Sequence, residues 1–256
     1  MGMMRLPMHL PAFTPTQWLL CAAVALCAGM AKTGFSGMGT VALVLMALVL
    51  PARESTGALL TILIVADIYA VFAFNRHANW RVVLRLLPPA FLGIIVGWLL
   101  MPLIPDRAFR PVLGGITLAL IALLLIQRMR PNLANAVSGH PAIGWLAGWS
   151  GGVTTMVANA AGPIMSIYLL ACRLPKMELV GTGAWFFFVV NVSKVPFSAA
   201  MGLVNAHSLL LTLILAPVVV VGAFFGRWLL LRINQVLFEA LLIAFTCLAA
   251  VRLLLA

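Results

Sequence analysis

Acidic side chains are nearly missing from these 256 residues, five against sixteen Lys and Arg. Glu54, Asp67, Asp106, Glu178 and Glu239 are scattered. They form none of the acidic clusters that a membrane enzyme acting on lipid or isoprenoid phosphates needs for its metal. Charge of either sign makes up 8% of the chain, where a soluble domain carries about 25%. The four cysteines, Cys21, Cys27, Cys172 and Cys247, contain no metal-spaced pair and read as packed or lipid-facing thiols. His9, His77, His140 and His207 fall singly in loops or at segment ends. There is no HExxH, no GxSxG and no P-loop. Neither enzymatic activity, nor a cofactor, nor a metal is expected.

Apolar residues fill the space left. They are 64% of the sequence, and the mean hydropathy is +1.16. Runs near the roughly 20 residues that cross a bilayer recur from residue 17 onward. They are continuous, not alternating, which predicts helices and not barrel strands. The expectation is an all-α polytopic membrane protein. The net charge of +11 sits mostly in Arg at the ends of apolar runs, where it anchors and orients helices. Nucleic acid is therefore not an expected partner; the lipid bilayer is. A positive field also favours an anionic substrate. The first segment, with Arg5 ahead of it, could mimic a signal peptide. The apolar pattern resumes after Gly39, which favours a retained helix.

Ten segments are expected, at about 16–33, 38–50, 55–74, 82–103, 109–126, 142–158, 164–172, 180–200, 207–231 and 236–255. The run at 38–50 gives only about 20 Å of helix, too short for about 30 Å of hydrocarbon. It follows a break at 33–39, Thr33-Gly34-Phe35-Ser36-Gly37-Met38-Gly39. A second break, Asn159-Ala160-Ala161-Gly162-Pro163, precedes the short run at 164–172.

The chain matches itself. Pro51, Glu54, Gly57 and Asp67 fall on Pro175, Glu178, Gly181 and Asn191, each 124 residues later. Pro88, Gly93, Gly97 and Phe109 fall on Pro217, Gly222, Gly226 and Phe238 at an offset of 129. Pro, Glu and Gly punctuate a chain, so their coincidence outweighs that of apolar residues. One transmembrane domain, 1–256, is expected. It holds repeat one at about 17–127, a polar connector at 128–141 and repeat two at about 142–255. Five segments per repeat would invert the second half relative to the first, as in many secondary transporters. Four crossings per repeat would leave the halves parallel. Inversion is the expectation. Counting ten crossings, Arg76/Arg81, Arg128/Arg130, Arg173/Lys176 and Arg227/Arg232 share one side, opposite Arg53 and Arg107/Arg110. The positive-inside rule makes the first side cytoplasmic.

The Gly-rich break GFSGMG and the apolar run ending in Pro51 suggest a family. So does the stretch NAAGPIMSIYLLACRLPKMELVGTGAWFFFVVNVSK of the second half. Over about residues 17–255 the chain resembles the TauE/SafE sulfite exporters, the TSUP family of bacterial membrane proteins. Where family members often show a longer Gly-Gly run, this chain has Gly37-Met38-Gly39. The resemblance implies a multi-pass protein of the bacterial inner membrane that moves sulfite, sulfonates or related organic anions. An anion channel is the nearest rival, and a membrane enzyme or scaffold subunit the more distant one. A homo-oligomer is left open.

Several residues are candidates for the work. An intramembrane charge is costly and is by default functional. Lys194 lies well inside the eighth segment, with Asn191 three residues earlier on the same face and Pro196 loosening the helix just beyond. Its bland alternative is a lysine bonded to carbonyls of a neighbouring broken helix. Lys32 stands at the first break and could pair with an anion, or snorkel to an interface. Asp67 could couple transport to protons or serve only as an ion-pair partner of either lysine. Thr33, Ser36, Thr154, Thr155 and Asn159 offer neutral donors at the breaks. Gly34, Gly37, Gly39, Gly162 and Pro163 shape the breaks, where free helix N-termini would face an anion. Gly93/Gly97 and Gly222/Gly226 read as helix-packing pairs.

Overall fold

The computed structural model describes residues 13–35, 37–105 and 141–234, with residues 237, 240 and 244. The expected segment at 109–126, most of the connector at 128–141 and most of the segment at 236–255 lie outside these residues. So does Ser36. Among the described residues there are eight α-helices and no strand.

Helix α1 (Pro15–Lys32) opens on a capping box between Thr14 and Gln17, with Pro15 in its first turn. It stops where Gly34 takes φ +128°, a conformation that an L side chain rarely adopts. Helix α2 (Gly37–Val49) ends before Pro51, which has no N–H to continue it. Helix α3 (Ala52–Phe74) and α4 (Trp80–Leu100) follow, α4 capped by the Asn79 side chain on Val82 N–H. Helix α5 (Pro141–Ala158) breaks at Asn159, held at φ +52°. Asn tolerates this left-handed conformation better than most residues. Helix α6 (Gly162–Ala171), α7 (Lys176–Ala200) and α8 (Ala206–Arg232) complete the set. The helical stretches Arg53–His77, Trp80–Leu103, Lys176–Ala200 and Ala206–Arg232 are long and apolar enough to span a membrane. Phe72, Leu213 and Phe224 are among their exposed outward side chains.

Packing fixes the directions. Gly57 lies against Leu203, and Gly181 against Phe74 and His77, so α3 and α7 run antiparallel. One end of the bundle is marked by Arg53, which donates to Ile104 O beyond α4 (2.6 Å). The other is marked by Lys176, whose ammonium caps the end of α8 at Leu230 O (3.0 Å) and Ile233 O (2.7 Å). Phe13 and Leu50, at the outer ends of α1 and α2, share a cavity with Glu54 and Leu203. The α1–α2 pair is therefore a hairpin entering from the Arg53 end. Gly144 lies against Arg85 and Tyr168, and Gly151 against Met165. The α5–α6 pair is thus a hairpin entering from the Lys176 end. The short runs α2 and α6, of 13 and 10 residues, are the return arms of these hairpins.

Each hairpin packs on a long helix of the other half. Gly222 meets the Leu26 backbone and Gly226 meets Met30 and Thr33, joining α8 to α1. Gly93 meets Trp149 and Gly152, and Gly97 meets Val153 and Met156, joining α4 to α5. These Gly pairs act in helix packing, where only small residues let backbones come so close. A Cβ at Gly152 would overlap the Ala90 carbonyl. Gly152→Val is expected to cost at least the roughly 1–3 kcal/mol of overpacking, read as a lower unfolding temperature in detergent.

Candidate functional site

The two hairpins bring their breaks toward the long pair α3 and α7. Lys32, the last residue of α1, places its ammonium 2.9 Å from Asp67 Oδ1 on α3. Its side chain is 8% exposed, and Asp67 is fully buried. The other carboxylate oxygen, Oδ2, accepts from Asn191 Nδ2 on α7 (2.6 Å). Asp67 and Asn191 are the residues matched at the offset of 124, and they meet each other. The Lys32 ammonium also lies over the Phe187 ring, 4.2 Å from its centre. That contact adds a cation–π attraction to the pair.

One turn further along α7, Lys194 is 1% exposed. Its ammonium donates to Thr155 O (2.9 Å), Thr155 Oγ1 (2.9 Å) and Asn159 Oδ1 (2.7 Å). The acceptors lie in the last turn of α5 and at the first residue of the α5–α6 break. Thr155 O is one of the last carbonyls of α5, the negative end of that helix's dipole. The Asn159 amide in turn donates to Thr56 O on α3 (2.8 Å). Both lysines thus bridge a hairpin tip and a long helix, in opposite senses. Lys32 reaches from a tip to α3, and Lys194 reaches from α7 to a tip.

A cavity of about 30 Å³ lies between these groups. It is lined by Lys32, Thr155, Asn159, Phe187 and Asn191, with Gly39 and Gly162 from the first turns of α2 and α6. A water needs roughly 10–15 Å³ by this measure, so the cavity in this state admits two or three waters and would have to widen to take an oxoanion. A second cavity of about 40 Å³ continues past Lys32 and Phe187 toward the first turns of α7.

Lys194, Asn191, Asn159, Lys32, Thr155 and Asp67 are gathered in one constellation; Gly39 and Gly162 are on the cavity wall, while Lys194 and Asp67 stand behind it, reaching it through Thr155 and Asn159 and through Lys32 and Asn191. Thr33 is not on that wall. It is buried, and its hydroxyl goes to Gly29 O and Met30 O (3.2 Å each). Thr154 likewise bonds its own helix, at Ser150 O (2.8 Å). Gly34 lines the second cavity. Gly37 and Pro163 stand in the first turns of α2 and α6. Among the described residues no group of His, Cys, Asp and Glu could hold a metal. Sequence reasoning missed Phe187 and the Thr56 carbonyl. Phe187 had a signal: it precedes Asn191 by four residues and Lys194 by seven, on one helix face. A main-chain acceptor such as Thr56 O leaves none.

The constellation can hold negative charge. With all three groups ionised, two ammoniums face one carboxylate, and the remaining partners are neutral. A family model described as sulfite exporter TauE/SafE matches residues 21–253. No curated protein and no solved structure matches the chain.

Proposed function

The chain belongs to the TauE/SafE sulfite exporters and is a membrane transporter of sulfite or related anions, and we propose that it works by alternating access around the cavity beside Lys194. The observation that carries this reading is Lys194 itself. It is a buried ammonium whose hydrogen-bond acceptors are all neutral oxygens. The nearby Asp67 carboxylate is already bonded to Lys32 and Asn191; a buried charge with no directly paired counter-ion is costly, and a small anion in the neighbouring cavity would relieve that cost. Asn191, Asn159 and Thr155 would orient the anion, and Lys32 would complete the positive field. The first turns of α2 and α6 would add partial positive charge from their helix dipoles. Asp67 would hold Lys32 while the site is empty. A proton delivered to Asp67 would release Lys32 to the anion and couple the two movements.

The two halves are read as an inverted repeat. Support comes from α3 and α7, which match at the offset of 124 and run in opposite directions. Further support comes from Asp67 and Asn191, since equivalent residues that touch must lie on the relating axis. Arg76, Arg81, Arg173, Lys176, Arg227 and Arg232 gather at the Lys176 end, against Arg53 at the other. That end would face the cytoplasm, in a bacterial inner membrane. The small size of the cavity, about 30 Å³, favours a carrier that opens by rearrangement over a standing pore.

Counterflow of radiolabelled sulfite into proteoliposomes tests the reading. Saturable exchange, competed by sulfonates and trans-stimulated by internal sulfite, is expected. Flux that rises without saturation would instead indicate a channel.

A further inference from the structure

The two ends of the bundle carry the same parts in different states. At the Lys176 end, Asn79 caps α4 through Oδ1 on Val82 N–H (3.3 Å). Its side-chain amide donates to Glu178 Oε1 on α7 (2.7 Å), and its backbone N–H to Thr182 Oγ1 (2.9 Å). These bonds tie the start of α4 to the start of α7. At the Arg53 end, Asn205 caps α8 in the same way, through Oδ1 on Ser208 N–H (3.0 Å). The residues matching Glu178 and Thr182 there are Glu54 and Ala58 on α3. Yet the Asn205 side-chain amide turns to Gly202 O (3.1 Å), and its backbone N–H goes to Ser208 Oγ (3.0 Å). Glu54, Ala58 and Asn205 line a cavity of about 420 Å³, where their counterparts are in contact.

We propose that the Asn79–Glu178 contact and its counterpart Asn205–Glu54 are the two gates of the transport cycle, each made when the other is broken. The observed state has the gate at the Lys176 end made and the gate at the Arg53 end open. The carboxylate and the helix-capping Asn suit this role. The Asn oxygen stays on its helix N-terminus throughout, so only the side-chain amide and the backbone N–H change partner. Each gate joins a long helix of one half to a long helix of the other, so closing it moves the halves and not a single loop. At the Lys176 end Thr182 adds a hydroxyl acceptor that Ala58 lacks, while at the Arg53 end Thr61 already joins α3 to α8 at Thr212 Oγ1 (2.6 Å), about two turns in from the open Glu54–Asn205 contact. The inference rests on the inverted-repeat, alternating-access reading.

Paired cysteines at each gate, bridged by a short bifunctional methanethiosulfonate, test it in a background without the native cysteines. Asn79→Cys/Glu178→Cys is expected to cross-link in the empty protein. Glu54→Cys/Asn205→Cys is expected to cross-link at least tenfold faster during sulfite exchange than without sulfite. Either bridge should cut counterflow more than tenfold, with recovery on reduction. A parent with non-saturable flux overturns alternating access and the gates with it. A parent with saturable counterflow whose Glu54/Asn205 pair cross-links at one rate with and without sulfite overturns the gates alone. So does counterflow that persists through either bridge. If a cysteine pair fails to assemble, Glu178→Ala and Glu178→Gln serve in its place. Gln keeps an acceptor for Asn79, so the Ala variant should exchange at least fivefold more slowly than the Gln variant, and equal rates overturn the proposal.

Discussion

Lys194→Ala is expected to reduce sulfite counterflow to the level of empty liposomes while the protein still folds. The substitution removes three hydrogen bonds and the ammonium that makes the site net positive. Thr155 O still accepts from Asn159 N–H (2.9 Å), and the Asn159 amide still holds Thr56 O. The α5–α6 break therefore keeps its main supports, and removing a buried charge lowers a desolvation cost. Unfolding temperature should fall by a few degrees or stay level. Lys194→Gln is the sharper companion, since it keeps an N–H donor and most of the side-chain length but not the charge. Wild-type flux from either variant, or loss of flux only through loss of folded protein, would contradict the role given to Lys194.

Asp67→Asn should have the second large effect, and mainly on stability. Lys32 would be left as a buried ammonium facing neutral groups and the Phe187 ring. Breaking one side of a buried ion pair typically costs about 3–5 kcal/mol. Replacing both partners is often close to neutral, so Lys32→Met/Asp67→Asn should recover most of the stability lost. Unfolding of the three variants in detergent measures this directly. The double variant should still fail in transport, because half of the positive field is gone with Lys32. If Asp67→Asn unfolds like the parent, the pair contributes little, and Asp67 would be free for a coupling role alone.

Much of this site could be read from the chain before its fold was known. Lys194 and Asn191 stand three residues apart on an apolar segment, and helix geometry puts them on one face whatever they touch. The matched Pro51, Glu54 and Gly57 against Pro175, Glu178 and Gly181 marked the paired starts of α3 and α7, because Pro and Gly sit where chains turn. The breaks at 33–39 and 159–163 showed as small residues and a Gly-Pro interrupting apolar runs; the positive φ at Gly34 and Asn159 came only with the fold. What one strand of sequence does not carry is the identity of neighbours across helices. Periodicity could not say that α2 and α6 return to the end they came from. It could not separate Thr33, which bonds its own helix, from Thr155, which faces Lys194. Both are hydroxyls at a break, and only the packing of α8 on α1 turns the first away. Nor could it choose among the partners offered to Asp67. The lysine at the α1 terminus and the asparagine of the matching segment both reach it, one at each oxygen.

The cavity between the two hairpin tips is expected to bind an anion through Lys194. Equilibrium binding of radiolabelled sulfite to purified protein in detergent tests it most directly, on the parent and on Lys194→Ala. Saturable binding to the parent at one site per chain, displaced by sulfonates and not by cations, is expected, with no saturable binding to the variant. Equal binding by both proteins would contradict it.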